Sequence, residues 1–480
     1  MTVNDPDSDR PGGQGSTAST PWAEFGERLK HLRRRSGLTQ RQLGQRVGYG
    51  HSLVSRWESG TREPTRGAVD ALERVLNAGG ALSSLVEPPP REGERTRRGG
   101  LGVGFFPPLP GGLRSGPVPA SLEAGWPGVL PAGACPLHAE DACEVPAFAD
   151  LLVLPGRMRA ACEAGLPDAA EADLIHLLAA LLGRCEQAAA CAAPAASLGT
   201  VEHVLGGLVA WAGAADAAGR SAAAQLGLAA HFAQLAGRLR MHGGQGALAM
   251  AWVGHGLRWA EAGGDTGVRA TLMTDLCTLA RLDGDGASAL AYASAIGALD
   301  ARRGWITALS HMYQARGHAA LGDGAETRRQ ADLSRRCLER LRGRDLQEAP
   351  WLAGGQGQLR MEATVAGALR DLAAVTGDRL AARSAARSAV RALEQLPDGM
   401  VPTRLLLTVR LADCHVCAGD VDAALQVAGS VVERAVAARR QTISQELKGL
   451  RSRLLGAWGG LRETREFAER LGAAAEASRG

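Results

Sequence analysis

"SGLTQRQLGQRVGYGHSLVSRWESGTREP", residues 36–64, is cut by glycines into short runs, each apolar on one side. Leu43 and Val47 lie four apart, and Leu53, Val54 and Trp57 recur at helical spacing, which predicts two short helices joined by a tight turn at Gly48. The second of these, about 51–59, buries Leu53, Val54 and Trp57 and leaves His51, Ser52, Ser55 and Arg56 outside. Upstream, Phe25, Leu29 and Leu32 stand at i, i+4 and i+7, so an amphipathic helix is expected over 24–36, closed by Gly37. Thr39 followed three residues on by Gln42 is a capping-box pattern. Downstream, Gly60 ends the third helix, and Thr65 caps a fourth whose Val69, Leu72, Val75 and Leu76 complete a small core. Residues 22–86 therefore predict an all-α unit of five helices around a helix-turn-helix.

Charge points the same way. The whole chain of 480 residues has a formal net charge of +4, but residues 24–86 alone hold eleven Lys or Arg against six Asp or Glu, a balance of 11 − 6 = +5. The basicity belongs to this segment and implies a polyanionic partner for it. One feature dilutes the argument: Lys30 and Lys448 are the only lysines, so arginine dominates everywhere, and with abundant Ala and Gly this suggests a GC-rich bacterial genome.

"LRRRSGLTQRQLGQRVGYGHSLVSRWESGTREPT" resembles the lambda-repressor-like family (Cro/CI, or XRE), whose members share Gly-Leu-Thr-Gln at the start of helix 2, a Gly turn, and Trp/Leu-Glu-x-Gly-x-x-x-Pro closing helix 3. The likeness covers about 60 of the 480 residues. Gly44 departs from it, because the family usually has Ala there, and glycine in a helix costs about 1 kcal/mol relative to alanine. The resemblance implies a regulator that reads double-stranded DNA with helix 3 in the major groove. His51, Ser52, Ser55 and Arg56 are then the base-reading residues, with Arg56 able to make a bidentate contact to guanine. Thr39, Gln40, Arg41, Tyr49, Ser59 and Arg62 are the phosphate contacts. The plain alternative for Arg56 and Arg62 is a solvated guanidinium, and Trp57 reads as core rather than as a base-stacking residue.

The remainder looks different. Residues 1–21 are polar and rich in Pro, Gly and Ser, which predicts a disordered tail with neither signal peptide nor anchor. Residues 87–147, with "PPPREGERTRRGG" and "PPLPGG", read as a flexible linker. From 148 to 478 the chain is Ala- and Leu-rich with helical periodicity and short Gly-Asp turns. Gly244, Gly284, Gly322, Gly377 and Gly419 mark those turns at spacings of 40, 38, 55 and 42 residues, with an insertion around "GRDLQEAPWLAGGQG". That period resembles tetratricopeptide-type helical hairpins stacked as an α-solenoid; an irregular bundle is the alternative.

Other chemistry is weakly marked. Nine cysteines scattered through helical segments do not form a disulfide framework, so a reducing cytoplasm is expected, and no membrane span is read. Cys414 and Cys417 in "CHVC" read as two small thiols in a helix. Cys135, His138 and Cys143 in "CPLHAEDAC" could supply three metal ligands but have no evident fourth, so no metal or other cofactor is expected. His311, Tyr313 and His318 read as packing or groove-lining residues. Neither lysine follows a glycine, which leaves no P-loop, and no kinase, Gly-x-Ser-x-Gly or His-Glu-x-x-His pattern occurs. The expectation is a non-enzymatic regulator, dimeric through its C-terminal repeats, whose groove takes a peptide or protein ligand or none. The alternative is an interaction adaptor whose helix-turn-helix does not read DNA.

Overall fold

A computed structural model describes residues 22–47, 49–62, 64, 66–76, 78, 81–86, 118–131, 134–138, 141–191 and 195–477. The chain is all-α apart from one two-stranded ladder among the described residues, and it divides into two compact units, Met1–Arg97 and Arg98–Gly480. The expected tail 1–21, the stop at Gly48 and the cap at Thr65 lie outside the described residues.

The first unit contains α1 (Ala23–Arg35), α2 (Gln40–Val47), α3 (His51–Glu58), α4 (Arg66–Leu76) and α5 (Ser83–Val86). The predicted apolar stripes meet in its centre: Phe25, Leu29, Leu32, Leu43, Val54, Trp57, Leu72 and Leu82 are almost wholly buried together. Thr39 and Gln42 close the capping box, with the Thr39 amide donating to Gln42 Oε1 at 2.9 Å and the Gln42 amide donating to Thr39 Oγ1 at 3.2 Å. Glycines permit two close crossings. A Cβ on Gly26 would lie 2.6 Å from the carbonyl oxygens of Trp57 and Glu58, so α1 and α3 touch backbone to backbone. A Cβ on Gly44 would lie 2.5 Å from the Tyr49 carbonyl oxygen, so the turn between α2 and α3 is wound more tightly than an alanine allows.

The second unit starts within the stretch read as linker. From Val118 onward that segment is folded: a 3-10 turn at Ala120–Leu122, strands β1 (Val129–Leu130) and β2 (Cys143–Glu144) paired antiparallel, and a second 3-10 turn at Phe148–Val153. Its Pro and Gly residues shape turns and do not prevent packing, because Leu122, Leu130, Cys135 and Cys143 are buried in the same core as α7 (Asp168–Cys191). The Trp126 indole donates to the Pro146 carbonyl at 2.9 Å, and Arg184 donates to the Leu122 carbonyl at 3.2 Å. The linker expectation for 87–147 is thus corrected over its second half; residues 87–117 lie outside the described set.

Helix α6 (Leu154–Glu163), α7 and α8 (Ala195–Ala217) lead into antiparallel pairs: α9 (Ala223–His242) with α10 (Gly246–Ala262), α11 (Thr266–Leu282) with α12 (Gly286–Leu299), α13 (Gly304–Ala320) with α14 (Gly324–Arg340), and α16 (Gly354–Thr376) with α17 (Arg379–Glu394). Next come α18 (Val401–Ala418) with α19 (Val421–Gly429), the short α20 (Val432–Ala437), and α21 (Gln441–Trp458) with α22 (Arg462–Ala477). All five predicted turn glycines have left-handed backbone, with φ between 74° and 89°, and Gly264 adds a turn that the spacing argument missed. Asp265, Asp285, Asp323, Asp378 and Asp420 follow such glycines and cap the next helix through side-chain oxygens 2.9–3.1 Å from backbone amides. The 55-residue interval holds an inserted helix, α15 (Arg344–Glu348), which is pinned where the Trp305 indole donates to Glu348 at 2.9 Å. The helix α7 is long and apolar enough to cross a membrane, yet Leu174, Ile175, Leu177, Leu178 and Leu181 spend that apolarity on the core.

First helices of successive pairs line up side by side, and an ion network runs through them. Arg316 of α13 pairs with Asp371 of α16 at 2.8 Å, and Arg370 bridges Asp413 of α18 and Glu446 of α21, both at 2.5 Å. Arg410 reaches Glu446 at 2.8 Å, and Arg453 donates to Asp413 at 2.7 Å. Burial disfavours the Glu446 carboxylate, but the adjacent Arg370 and Arg410 guanidiniums hold it well below the usual carboxylate range.

Two stability predictions follow from this packing. Gly44→Ala, although it restores the residue common in the family, will destabilise the first unit by about 1–3 kcal/mol, because the backbone carbonyl it meets cannot swing aside; thermal unfolding of the fragment 22–86 measures it. Asp413→Ala leaves Arg370 and Arg453 without their shared carboxylate at a fully buried position, and guanidinium titration of the full chain will show a loss of about 3–5 kcal/mol.

Candidate nucleic-acid interface

The site is the outer side of α3, and its geometry begins with what holds the inner side. Glu58, the last residue of α3, is 6% exposed although it is charged. Its carboxylate accepts two hydrogen bonds from Arg33 of α1, at 2.5 and 3.0 Å, and a third from Gln40 Nε2 of α2, at 2.9 Å. Arg33 also donates to the Leu38 carbonyl at 2.7 Å. One carboxylate therefore joins α1, α2 and α3, and the bidentate fork fixes angle as well as distance. Hydrogen bonding to Glu58 raises the Arg33 pKa, so the guanidinium stays charged.

With Val54, Trp57 and Glu58 facing inward, helical geometry leaves His51, Ser52, Ser55 and Arg56 facing out, and all four are exposed. The Arg56 guanidinium makes no hydrogen bond or ion pair within the described residues, so its five donors are free for an acceptor. Trp57 is 1% exposed and lies edge-on to Tyr49, with ring centroids 5.1 Å apart. It is a core residue.

The expected phosphate contacts divide. Thr39, Arg41, Ser59 and Arg62 are exposed around the two helices, and Tyr49 is half-buried in the turn between them. Ser59 Oγ is engaged locally, donating to the Arg56 carbonyl at 3.1 Å and lying 2.9 Å from Thr61 Oγ1. Gln40 is half-buried and spends its amide nitrogen on Glu58. Its position at the first turn of α2 is as expected, and the bond to Glu58 fixes its orientation there. Arg33 and Glu58 were missed as a pair. The signal for them was an acid at the end of an otherwise inward-facing helical stripe, with an arginine in α1.

Elsewhere, Cys414 is wholly buried and Cys417 half-buried, both in α18, and burial pushes the Cys417 thiol up to about 11. These are protonated packing groups. His311 is hydrogen-bonded to Gln330 at 2.6 Å. Tyr313 lines a cavity of about 90 Å³ with Cys277, Thr278, Arg281, Arg316 and Thr364. Burial there depresses the Arg316 pKa to about 9. The cavity is several times smaller than a site for a peptide or drug-sized ligand. Arg440 at the head of α21 donates to the Ala189 carbonyl of α7 at 2.5 Å, and Gln445 to the Leu282 carbonyl at 3.0 Å, so α21 is tied back to earlier helices. The reading of Cys135, His138 and Cys143 as three ligands without a fourth is corrected as well. Helix α7 brings His176 to them, and the four donor atoms all lie within 4.8 Å of one another.

Comparison with known families agrees with the geometry of the first unit: residues 24–85 match the model of a helix-turn-helix domain. No curated protein and no solved structure matches the chain. Residues 24–85 are a helix-turn-helix domain of the kind that binds DNA.

Proposed function

We propose that this chain is a sequence-specific, non-enzymatic transcriptional regulator that inserts α3 into the major groove of double-stranded DNA. One observation carries the reading: His51, Ser52, Ser55 and Arg56 form an exposed face on a helix whose opposite face is locked by the core and by Glu58. A groove about 12 Å wide admits one helix, and Arg56 presents the fork that matches guanine O6 and N7. The +5 balance of residues 24–86 supplies attraction to phosphate. A protein-interaction adaptor built on the same fold would not need an arginine without a partner at the centre of that face.

Selection from a randomised duplex pool with the full chain will return a defined site, and its affinity will fall steeply with salt as counterions are released. Arg56→Ala will lose about 1–3 kcal/mol at one base pair and relax the preference there, whereas Arg41→Ala will weaken all duplexes alike. An unchanged preferred site in Arg56→Ala refutes the assignment of base reading to Arg56.

We also propose that the second unit pairs two chains. A single α3 reaches only a few base pairs, and helix-turn-helix heads gain specificity on half-sites about 34 Å apart. The second unit is the larger by far, and Leu321, Val375 and Leu380 are exposed at its inter-helix turns. Sedimentation of the fragment 118–480 at micromolar concentration will give a dimer, and that of 22–86 a monomer. A monomeric larger fragment defeats this part of the proposal.

A further inference from the structure

The loop between β1 and β2 carries Cys135 and His138, and Cys143 is the first residue of β2. Facing them is His176, in the first half of α7. His138 Nδ1 lies 3.0 Å from Cys143 Sγ and 3.8 Å from Cys135 Sγ, and the His138 and His176 rings stand 5.4 Å apart, centroid to centroid. Three of the four residues are buried, and His138 closes the group from the solvent side. His176 is 9% exposed and has its Nε2 buried without a partner.

We propose that Cys135, His138, Cys143 and His176 bind one zinc ion as a structural, four-coordinate site. The donor set is the first argument. Two sulfurs and two imidazole nitrogens are the borderline-soft set that zinc prefers, and four protein ligands leave no open position for a substrate water. Spacing is the second. Tetrahedral bonds of about 2.3 Å to sulfur and about 2.0 Å to nitrogen place ligand atoms roughly 3.3–3.8 Å apart, so a set spread over at most 4.8 Å needs only a small contraction. Third, the buried His176 Nε2 has no hydrogen-bond partner, which leaves a ring nitrogen for the metal. Binding displaces one proton from each thiol, so Zn²⁺ with two thiolates and two neutral imidazoles is uncharged and two protons leave to solvent. A neutral centre suits this buried position.

The fold supplies the need. The ladder has two residues per strand, and a segment this short cannot bury a core of its own. A metal shared by loop, strand and helix clamps residues 118–147 to α7.

Full-length protein purified under reductant and without chelator will hold about one zinc per chain by elemental analysis. Cobalt(II) added to the metal-free protein will give the intense visible bands of a tetrahedral site with thiolate charge transfer. Because His138 is exposed, His138→Ala is the variant least able to disturb folding, and it will lower zinc affinity at least about tenfold with helix content unchanged. Cys143→Ser will abolish the cobalt bands, while Cys414→Ser will keep them. Chelation will speed proteolysis within 118–147 by about tenfold or more. Metal-free wild-type protein that takes up no cobalt under reductant overturns the proposal, as does metal retained in Cys135→Ser/Cys143→Ser. A Cys135–Cys143 disulfide that persists in reductant overturns it too, since it would show the pair to be an oxidised crosslink.

Discussion

A buried carboxylate at the end of a two-turn helix decides what the first unit can present. Eight residues are too few for α3 to be stable by itself, so its orientation is set wholly by what it packs against. Apolar contacts through Val54 and Trp57 hold it down but leave it free to roll. The Glu58 fork removes that freedom, because two bonds from Arg33 and one from Gln40 converge on two oxygens from different directions. Gly26 makes the arrangement compact, since the same end of α3 is also the point where its backbone meets α1. The outward residues matter for recognition only because this inward corner is rigid.

In the second unit the organising constraint is electrostatic. Helical hairpins usually coil into a superhelix with a hollow inner face. Here four of those helices carry Arg316, Arg370, Asp371, Arg410, Asp413, Glu446 and Arg453, paired with one another, and α21 bonds back to α7 and α11. Desolvating so many charges is costly, and it is offset only because each acid meets more than one arginine. A helix displaced by one turn would strand charges in a dry interior. The buried charges that take part in this network are committed to the fold.

Features with a local cause were legible in the sequence. Five turn glycines and the Thr39–Gln42 box each involve residues within four positions of one another, so pattern alone located them, whereas the turn at Gly264 and the aspartate caps were seen only in the structure. The outward quartet on α3 was legible for the same reason, through helical periodicity. What escaped depended on partners distant in the chain. Glu58 was visible only as a motif letter, because its partner Arg33 sits 25 residues earlier. The bond from Gln40 to Glu58 escaped for the same reason, since its acceptor lies 18 residues away. Pro-rich composition between 118 and 147 argued for a tether, but prolines also suit 3-10 turns and loop corners, and burial of Leu122 and Leu130 decided the matter.

The same distinction explains why the loop 131–142 could not be understood alone. Three donors close together in sequence are an incomplete set for a tetrahedral ion, and the fourth lies on a helix whose composition advertises only a core role. Within α7, His176 is flanked by Leu174, Ile175, Leu177 and Leu178, all buried, so a polar group at that place needs a reason to be there. Hydrophobic burial would favour another leucine. An imidazole with a buried nitrogen that lacks a partner, set beside two thiols and a second imidazole, is costly unless something occupies the centre. The buried polar atom, more than the cysteine spacing, is what separates a ligand set from a chance cluster.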